Sequence, residues 1–262
     1  MADAAPLSGV RVLITRPRAQ AEVLAGAIRR EGGEPLVWPL IDIQPVRDPA
    51  RLDATLATLD RFDLAIFISP NAVQQALARL AQLGRSWPPA LAIAAIGNGT
   101  AQALAAHGLA AAIVPRARFD SEGLLAEPAL QSVTGRRIVI LRGEGGREQL
   151  ADTLRARGAE LTYAECYRRQ APAPDPQAAR RLAPDAVDIA IFTSAEAIDN
   201  LLQLYGETGR RLLRDTPVLV VSERLAARVA EHRPRTAPRI VRPDDADIVT
   251  ALRAWRAGEK TL

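Results

Sequence analysis

The parts of this chain able to do chemistry are mostly turns, not strongly reactive side chains. The sequence holds no P-loop, no G-x-G-x-x-G, no metal-ligand cluster and no nucleophile elbow. Gly143-Glu-Gly-Gly146 is rich in glycine and stands between an apolar run and an amphipathic stretch. Such a loop could offer backbone N–H groups to an anion at a helix N-terminus, or could be an ordinary strand-to-helix turn. Ser69-Pro-Asn71 and Ser194-Ala-Glu196 also close strand-like runs and open helical ones. Serine there caps a helix by default, with a ligand contact as the added role. Gly97-Asn-Gly-Thr100 is a third such turn. Thr100 could orient a ligand, or cap and pack locally. His107 and His232 fall at the ends of helical runs, where a dipole or capping role is expected.

The elements that would carry these turns alternate in a regular way. Strands are expected at Val10–Thr15, Leu64–Ile68, Leu91–Ile96, Ala112–Val114, Ile138–Leu141, Ile189–Thr193, Val218–Val221 and Arg239–Val241. Helices are expected over about 18–32, 71–83, 99–107, 121–131, 146–158, 195–205, 223–232 and 246–256. The strand runs are apolar on both faces, as buried parallel strands are. Gly32-Gly33, Gly108 and Gly158 stand where helix C-caps belong. The pattern predicts an α/β protein with parallel sheets.

The chain also repeats itself. Asp63-Leu-Ala-Ile-Phe-Ile-Ser-Pro-Asn-Ala72 returns as Asp188-Ile-Ala-Ile-Phe-Thr-Ser-Ala-Glu-Ala197. Ile96–Ala101 returns as Val221–Ala226, and Arg11–Arg16 as Arg137–Arg142. A period this long is the size of a small domain, so two copies of one α/β unit are expected, with a cleft between them as the site. Trp38–Pro45 and Cys166–Pro172 are extended, proline-bounded and equivalent in the two repeats. Their pairing predicts exchanged domains, 1–38 plus 173–262 and 47–165. Two linker strands, 39–46 and 166–172, would form the hinge.

Bulk properties exclude several classes. The net charge is +4, carried by arginine, with Lys260 the only lysine. This bias is mainly what a GC-rich genome produces, and it remains compatible with an anionic small substrate. Basic residues are scattered among acids and aromatics are 4%, which argues against nucleic-acid binding. No apolar run is long enough for a membrane span, and Met1–Ser8 does not read as a signal peptide. Cys166 is the only cysteine. A soluble cytoplasmic protein is the expectation.

Read in order, Thr15-Arg16-Pro17, Phe67–Ala72, Ile96–Ala101, Leu141–Glu148, Glu165–Arg169, Phe192–Ser194 and Val221–Arg224 resemble uroporphyrinogen-III synthase. The resemblance covers about residues 9 to 255. It implies two flavodoxin-like α/β domains joined by a two-stranded linker. It implies cyclisation of hydroxymethylbilane to uroporphyrinogen III, with inversion of ring D and loss of water, and no metal or organic cofactor. Loss of the hydroxymethyl oxygen would leave an azafulvene, and attack at the substituted carbon of ring D a spiro-pyrrolenine, which reopens and recloses inverted. Such chemistry asks the protein chiefly for orientation and electrostatics. The implied substrate-binding residues are Thr15, Arg16, Ser69, Asn71, Gly97, Thr100, Arg142, Gly143, Ser194 and Ser222. Tyr167 stands where the family motif places a tyrosine held to assist departure of the hydroxyl; packing as a linker aromatic is its other reading. Ile68 departs from the Thr or Ser common before Ser69. Leu225 stands where the repeat would put a threonine, so the second-half turn offers Ser222 and Arg224 instead. A monomer is expected, with transient contact to hydroxymethylbilane synthase. The rival class is a hinged binding module that senses an anionic ligand without converting it.

Overall fold

The structure is a computed structural model that describes residues 5–116, 118–146, 148–183 and 185–258. Arg147, in the glycine-rich motif, and Lys260 lie outside the described residues. The chain divides into two compact units, Met1–Asp42 with Gln170–Leu262, and Ile43–Arg169.

The first unit is a five-stranded parallel sheet. Its strands are β1 (Arg11–Ile14), β2 (Glu34–Val37), β8 (Ile189–Phe192), β9 (Val218–Val220) and β10 (Arg239–Ile240), in the order β10-β9-β8-β1-β2. Counted within the unit this is 2-1-3-4-5, the flavodoxin-like order. Its helices are α1 (Arg18–Arg30), α7 (Ala178–Arg181), α8 (Ala195–Asp215), α9 (Glu223–Ala230) and α10 (Asp245–Arg256). Val12, Ile14, Ile189, Ile191 and Leu219 pack with Leu24 and Ile28 of α1 and with Ile248 and Leu252 of α10.

The second unit holds β3 (Asp42–Pro45), β4 (Leu64–Phe67), β5 (Ala92–Ala95), β6 (Arg137–Gly143) and β7 (Glu160–Gln170), in the order β3-β7-β6-β4-β5. An isolated parallel bridge, Ala94 to Ile113, extends the β5 edge. Counted from β6, the run β7-β6-β4-β5-Ile113 repeats the 2-1-3-4-5 order of the first unit. The helices here are α2 (Ala50–Leu56), α3 (Pro70–Gln82), α4 (Asn98–Ala105), α5 (Ser121–Ala126) and α6 (Gln149–Ala156). Consecutive strand residues enter opposite cores. Ala65, Phe67, Val139 and Leu141 pack with Val73 and Leu80 of α3. Leu64, Ile66, Ile138 and Ile140 pack with Leu124 of α5 and Leu150 and Leu154 of α6. Helices cover both faces, which is why these strands are apolar without alternation.

The repeat persists in hydrogen bonds. Asp188 accepts the Arg11 backbone N–H at 2.8 Å, and Asp63 accepts that of Arg137 at 2.7 Å.

Several elements differ from the sequence reading. β2 carries Pro35 on an edge strand, the place where a sheet tolerates proline, and its half-exposed residues make no apolar run. Of the expected strand 112–114, Ile113 alone forms a β-bridge, to Ala94, with the Ala112 N–H also donating to the Ile93 carbonyl. The helix expected over 121–131 ends at Ala126, ahead of Pro128. The helix expected over 195–205 resumes past a break at Gly206. The helix α2 was not expected; it buries Leu52 and Leu56, four residues apart. The residues read as connecting strands lie in β3 and in the end of β7, neighbours in one sheet.

Candidate functional site

In open parallel sheets, ligands meet the carboxyl ends of strands where the strand order reverses. In the second unit that point lies between β6 and β4, and three candidate turns follow adjacent strands there. After β4, Ser69 caps α3, accepting the Ala72 N–H at 3.1 Å, with Asn71 buried behind it. After β5, Gly97 is the N-cap of α4 and supplies no side chain, so this helix start lacks a side-chain cap. Thr100 is buried within α4. After β6 comes the loop Gly143–Gly146.

Tyr167 joins two of these turns. Its ring lies against Gly143, where a Cβ would come within 2.8 Å of two ring carbons. Its hydroxyl sits 3.1 Å from the Ser69 Oγ. The tyrosine is 4% exposed and packs into the core of Phe67 and Leu141. A register shift places it there. Arg142 pairs with Glu165, but Gly143 pairs with Tyr167, leaving Cys166 extra. This bulge moves Tyr167 onto the face opposite Tyr163, which packs against the other core. Burial pushes the Cys166 thiol up to about 12, so it is no nucleophile near neutral pH.

The glycine loop is not open to an anion along its whole length. The Glu144 N–H donates to the Tyr167 carbonyl at 2.7 Å, and the Gly145 N–H to Glu165 Oε1 at 3.2 Å. Arg142 turns inward with its side chain 3% exposed. Its Nη1 meets Glu148 Oε1 at 3.0 Å, its Nε meets the Gly143 carbonyl at 3.3 Å, and its Nη2 bonds the Gly145 carbonyl. The guanidinium carbon stands 4.6 Å from the centre of the Tyr163 ring. The Tyr163 hydroxyl donates to Glu148, and this bond, followed by Arg142, holds the Glu148 carboxyl below its ordinary range. Burial, then Glu148, raises the Tyr163 phenol.

The first unit repeats the arrangement with other residues. Its order reverses between β1 and β8, and the buried Thr15 hydroxyl spans that point, donating to the Ile191 carbonyl at 2.8 Å. Arg16, the repeat partner of Arg142, is 7% exposed and pairs with Asp245 at 2.5 Å. Ser194 caps α8 and Ser222 caps α9, accepting from Ala197 at 3.2 Å and Leu225 at 3.3 Å. Arg224 is exposed.

Ser69, Gly143 and Tyr167 are thus brought together, with Thr100 on the neighbouring turn. The side chains of Thr15, Arg16 and Arg142 are committed to internal partners. The sequence reading did not single out Glu148, Tyr163 or Glu165, although Glu148 ends the motif run that starts at Leu141. Among the described residues, no group of three or more His, Cys, Asp or Glu could hold a metal ion, and no helix is long and apolar enough to cross a membrane.

The architecture defines a class: paired flavodoxin-order α/β units whose strand-end turns carry hydroxyls and helix N-termini suited to an anionic small molecule. Within that class the chain belongs to the uroporphyrinogen-III synthase family. A family model described as "Uroporphyrinogen-III synthase HemD" matches residues 22–239. The uroporphyrinogen-III synthase of Escherichia coli K12 is 40% identical over 217 residues, 82% of this chain and 88% of that one. The Salmonella typhimurium LT2 enzyme is 42% identical over 220 residues, with the same coverage. In fold, a mutant uroporphyrinogen III synthase from Thermus thermophilus superposes with a TM-score of 0.60 at 20% identity, covering 96% of this chain and 100% of that one. The Helicobacter pylori 26695 uroporphyrinogen-III synthetase gives 0.56 at 16% identity, covering 93% and 98%.

Proposed function

We propose that this protein closes hydroxymethylbilane to uroporphyrinogen III, inverting ring D and releasing water. The observation that carries the reading is the Ser69–Tyr167 pair seated on Gly143 at the strand-order reversal of the second unit. Ser69 accepts the Ala72 N–H at the start of α3, and its hydroxyl lies 3.1 Å from that of Tyr167, a contact in which either oxygen can donate; in the proposed reading Ser69 is the donor. The phenol proton then points to the hydroxyl that leaves the bilane. Hydroxide departs as the pyrrole N–H gives up its proton, so water is the net loss and azafulvene remains. Ring D attacks through its substituted carbon, and the spiro product reopens and recloses inverted. Within the second unit, the group suited to a substrate carboxylate is the uncapped start of α4 beside Thr100. The first unit, taken by itself, offers groups of the same kind at the starts of α8 and α9 and in the exposed Arg224. No step needs a metal or organic cofactor.

The two α/β bodies act as domains, 1–38 with 173–262 and 47–165, linked through 39–46 and 166–172; the division of contacts at Asp42/Ile43 and Arg169/Gln170 supports this. The enzyme works as a cytoplasmic monomer, receiving its unstable substrate by transient contact with hydroxymethylbilane synthase. Light scattering on the purified protein tests the monomer.

The deciding experiment supplies enzymatically generated hydroxymethylbilane, then oxidises and separates the porphyrin isomers. Isomer III is the expected product. Isomer I alone would leave a binding module. Tyr167→Phe keeps the packing and removes one hydrogen bond, worth about 1–3 kcal/mol or about 5- to 150-fold in rate. Isomer I rises as the bilane closes on its own. A variant equal to the parent in rate and isomer ratio would return Tyr167 to a packing role.

A further inference from the structure

We infer that Arg142 is a positioning residue that locks the Gly143–Gly146 loop and, through it, seats Tyr167, and that it does not bind substrate. The inference rests on the reading of Tyr167 above for its kinetic consequences, though not for its structural ones. An arginine at the end of a central strand is well placed to grip a carboxylate of the substrate, but this one faces inward. Its side chain is 3% exposed and every face of the guanidinium is engaged: two loop carbonyls, the Glu148 carboxylate and the Tyr163 ring. Freeing it would strip a buried cation of its partners, which costs more than a new carboxylate contact at the surface returns.

The loop it holds is built on residues of high backbone freedom. Gly145 and Gly146 have φ of 68° and 111°, which leaves both residues with wide freedom in the absence of a clamp. A Cβ on Gly146 would come within 2.7 Å of Arg142 Nη2, so loop and guanidinium are fitted to each other. Glu165 and the Tyr167 carbonyl take the N–H groups of Gly145 and Glu144, while Arg142 takes the carbonyls of Gly143 and Gly145. Gly143 is the floor under the Tyr167 ring. A shift of that floor moves the phenol away from Ser69. The same position in the first unit behaves alike: Arg16 is buried against Asp245. An inward arginine at the carboxyl end of the equivalent strand, β1 or β6, is therefore a property of the repeat, and in the second unit it adjoins the loop beneath the tyrosine.

The test compares Arg142→Lys, Tyr167→Phe and the double variant with the parent enzyme in steady-state isomer assays, with amide exchange of the 143–146 loop measured alongside. Lysine keeps the charge and loses the planar fork. Arg142→Lys should lower kcat about tenfold with KM within about twofold, and add less than about twofold in the Tyr167→Phe background. Loop amides should exchange faster. Glu148→Gln, at a half-exposed site that leaves the arginine in place, should show a smaller loss of the same kind. A raised KM with kcat retained would make Arg142 a substrate ligand and overturn the proposal, as would a full additive loss in the double variant. If Tyr167→Phe alone matches the parent, the tyrosine reading fails, and loop exchange decides: faster exchange in Arg142→Lys upholds the clamp, unchanged exchange removes it.

Discussion

Adding one methyl group at Gly143 should disable the site. Its backbone is extended, so alanine carries no conformational penalty there; the obstacle is the Tyr167 ring. The new Cβ would lie 2.8 Å from two ring carbons and 3.2 Å from the phenol oxygen. Ordinary carbon contacts are about 3.5–4.0 Å, so ring or strand must yield by about 0.7–1.2 Å. The ring has little room, because Tyr167 is 4% exposed and its carbonyl is held by the Glu144 N–H. Overpacking of this size costs about 1–3 kcal/mol. That corresponds to a fall in Tm of about 3–10 °C for a unit of this length. A displacement near 1 Å also takes the phenol from 3.1 Å to beyond hydrogen-bonding reach of Ser69. Gly143→Ala should therefore be slow to the same degree as Tyr167→Phe and release more isomer I. Calorimetry and the isomer assay read the two effects. Because the strain is with the ring, Gly143→Ala should cost much less stability in a Tyr167→Ala background. An equal cost in both backgrounds would show that the ring is not what the methyl meets, and the reasoning would fail.

Metal-stripped protein should keep full isomer III activity in chelator; activity that returns only with added metal would refute the cofactor-free mechanism. Cys166 is 2% exposed with its thiol pushed up to about 12, so alkylation at about pH 8 should be negligible until the protein unfolds. Mass spectrometry of the folded protein after reagent treatment checks this, and rapid labelling would contradict the burial. Arg11 holds the Asp188 carboxyl below its ordinary range, outweighing partial burial. The folded value lies under the unfolded one near 3.9, so the contribution is complete above that pH and is lost as pH falls through the lower folded value. Asp188→Asn should flatten the acid limb of a stability profile between about pH 4 and pH 2, and an unchanged limb would count against the pair.

Much of the architecture is legible in the sequence because burial on both sheet faces writes itself as unbroken apolar runs. Leu64–Phe67, Ile138–Leu141 and Ile189–Phe192 are such runs, and each is a central strand. Edges are written faintly. β2 carries a glutamate and a proline, and the outermost position beside β5 is a single bridge at Ile113. Helix starts are legible through Ser69, Ser194 and Ser222, whose hydroxyls serve as caps. The same chemistry hides any second role, since a serine that caps a helix and one that also touches a ligand look alike in sequence.

The site is less legible, for a geometric reason. Spacing along a strand predicts that Tyr163, Glu165 and Tyr167 share one face. The extra residue at Cys166 breaks that parity, sending Tyr163 toward Arg142 and Glu148 and Tyr167 toward Ser69. No residue type announces a bulge in the run Glu165-Cys-Tyr, yet the bulge separates Tyr163, beside Glu148 and Arg142, from Tyr167, beside Ser69 and Gly143. The arginines are ambiguous in the same way. Arg16 and Arg142 hold matching positions in the repeat and carry the charge an anionic substrate calls for, but burial turns both toward acids of their own unit. On the proposed reading, what is left to meet the substrate is the less conspicuous set: the uncapped start of α4, the serine hydroxyls and the one phenol seated between Gly143 and Ser69. On that reading, the inventory suits a reaction whose substrate already carries its own leaving group and nucleophile, and the protein's part is to position groups at several strand-end turns.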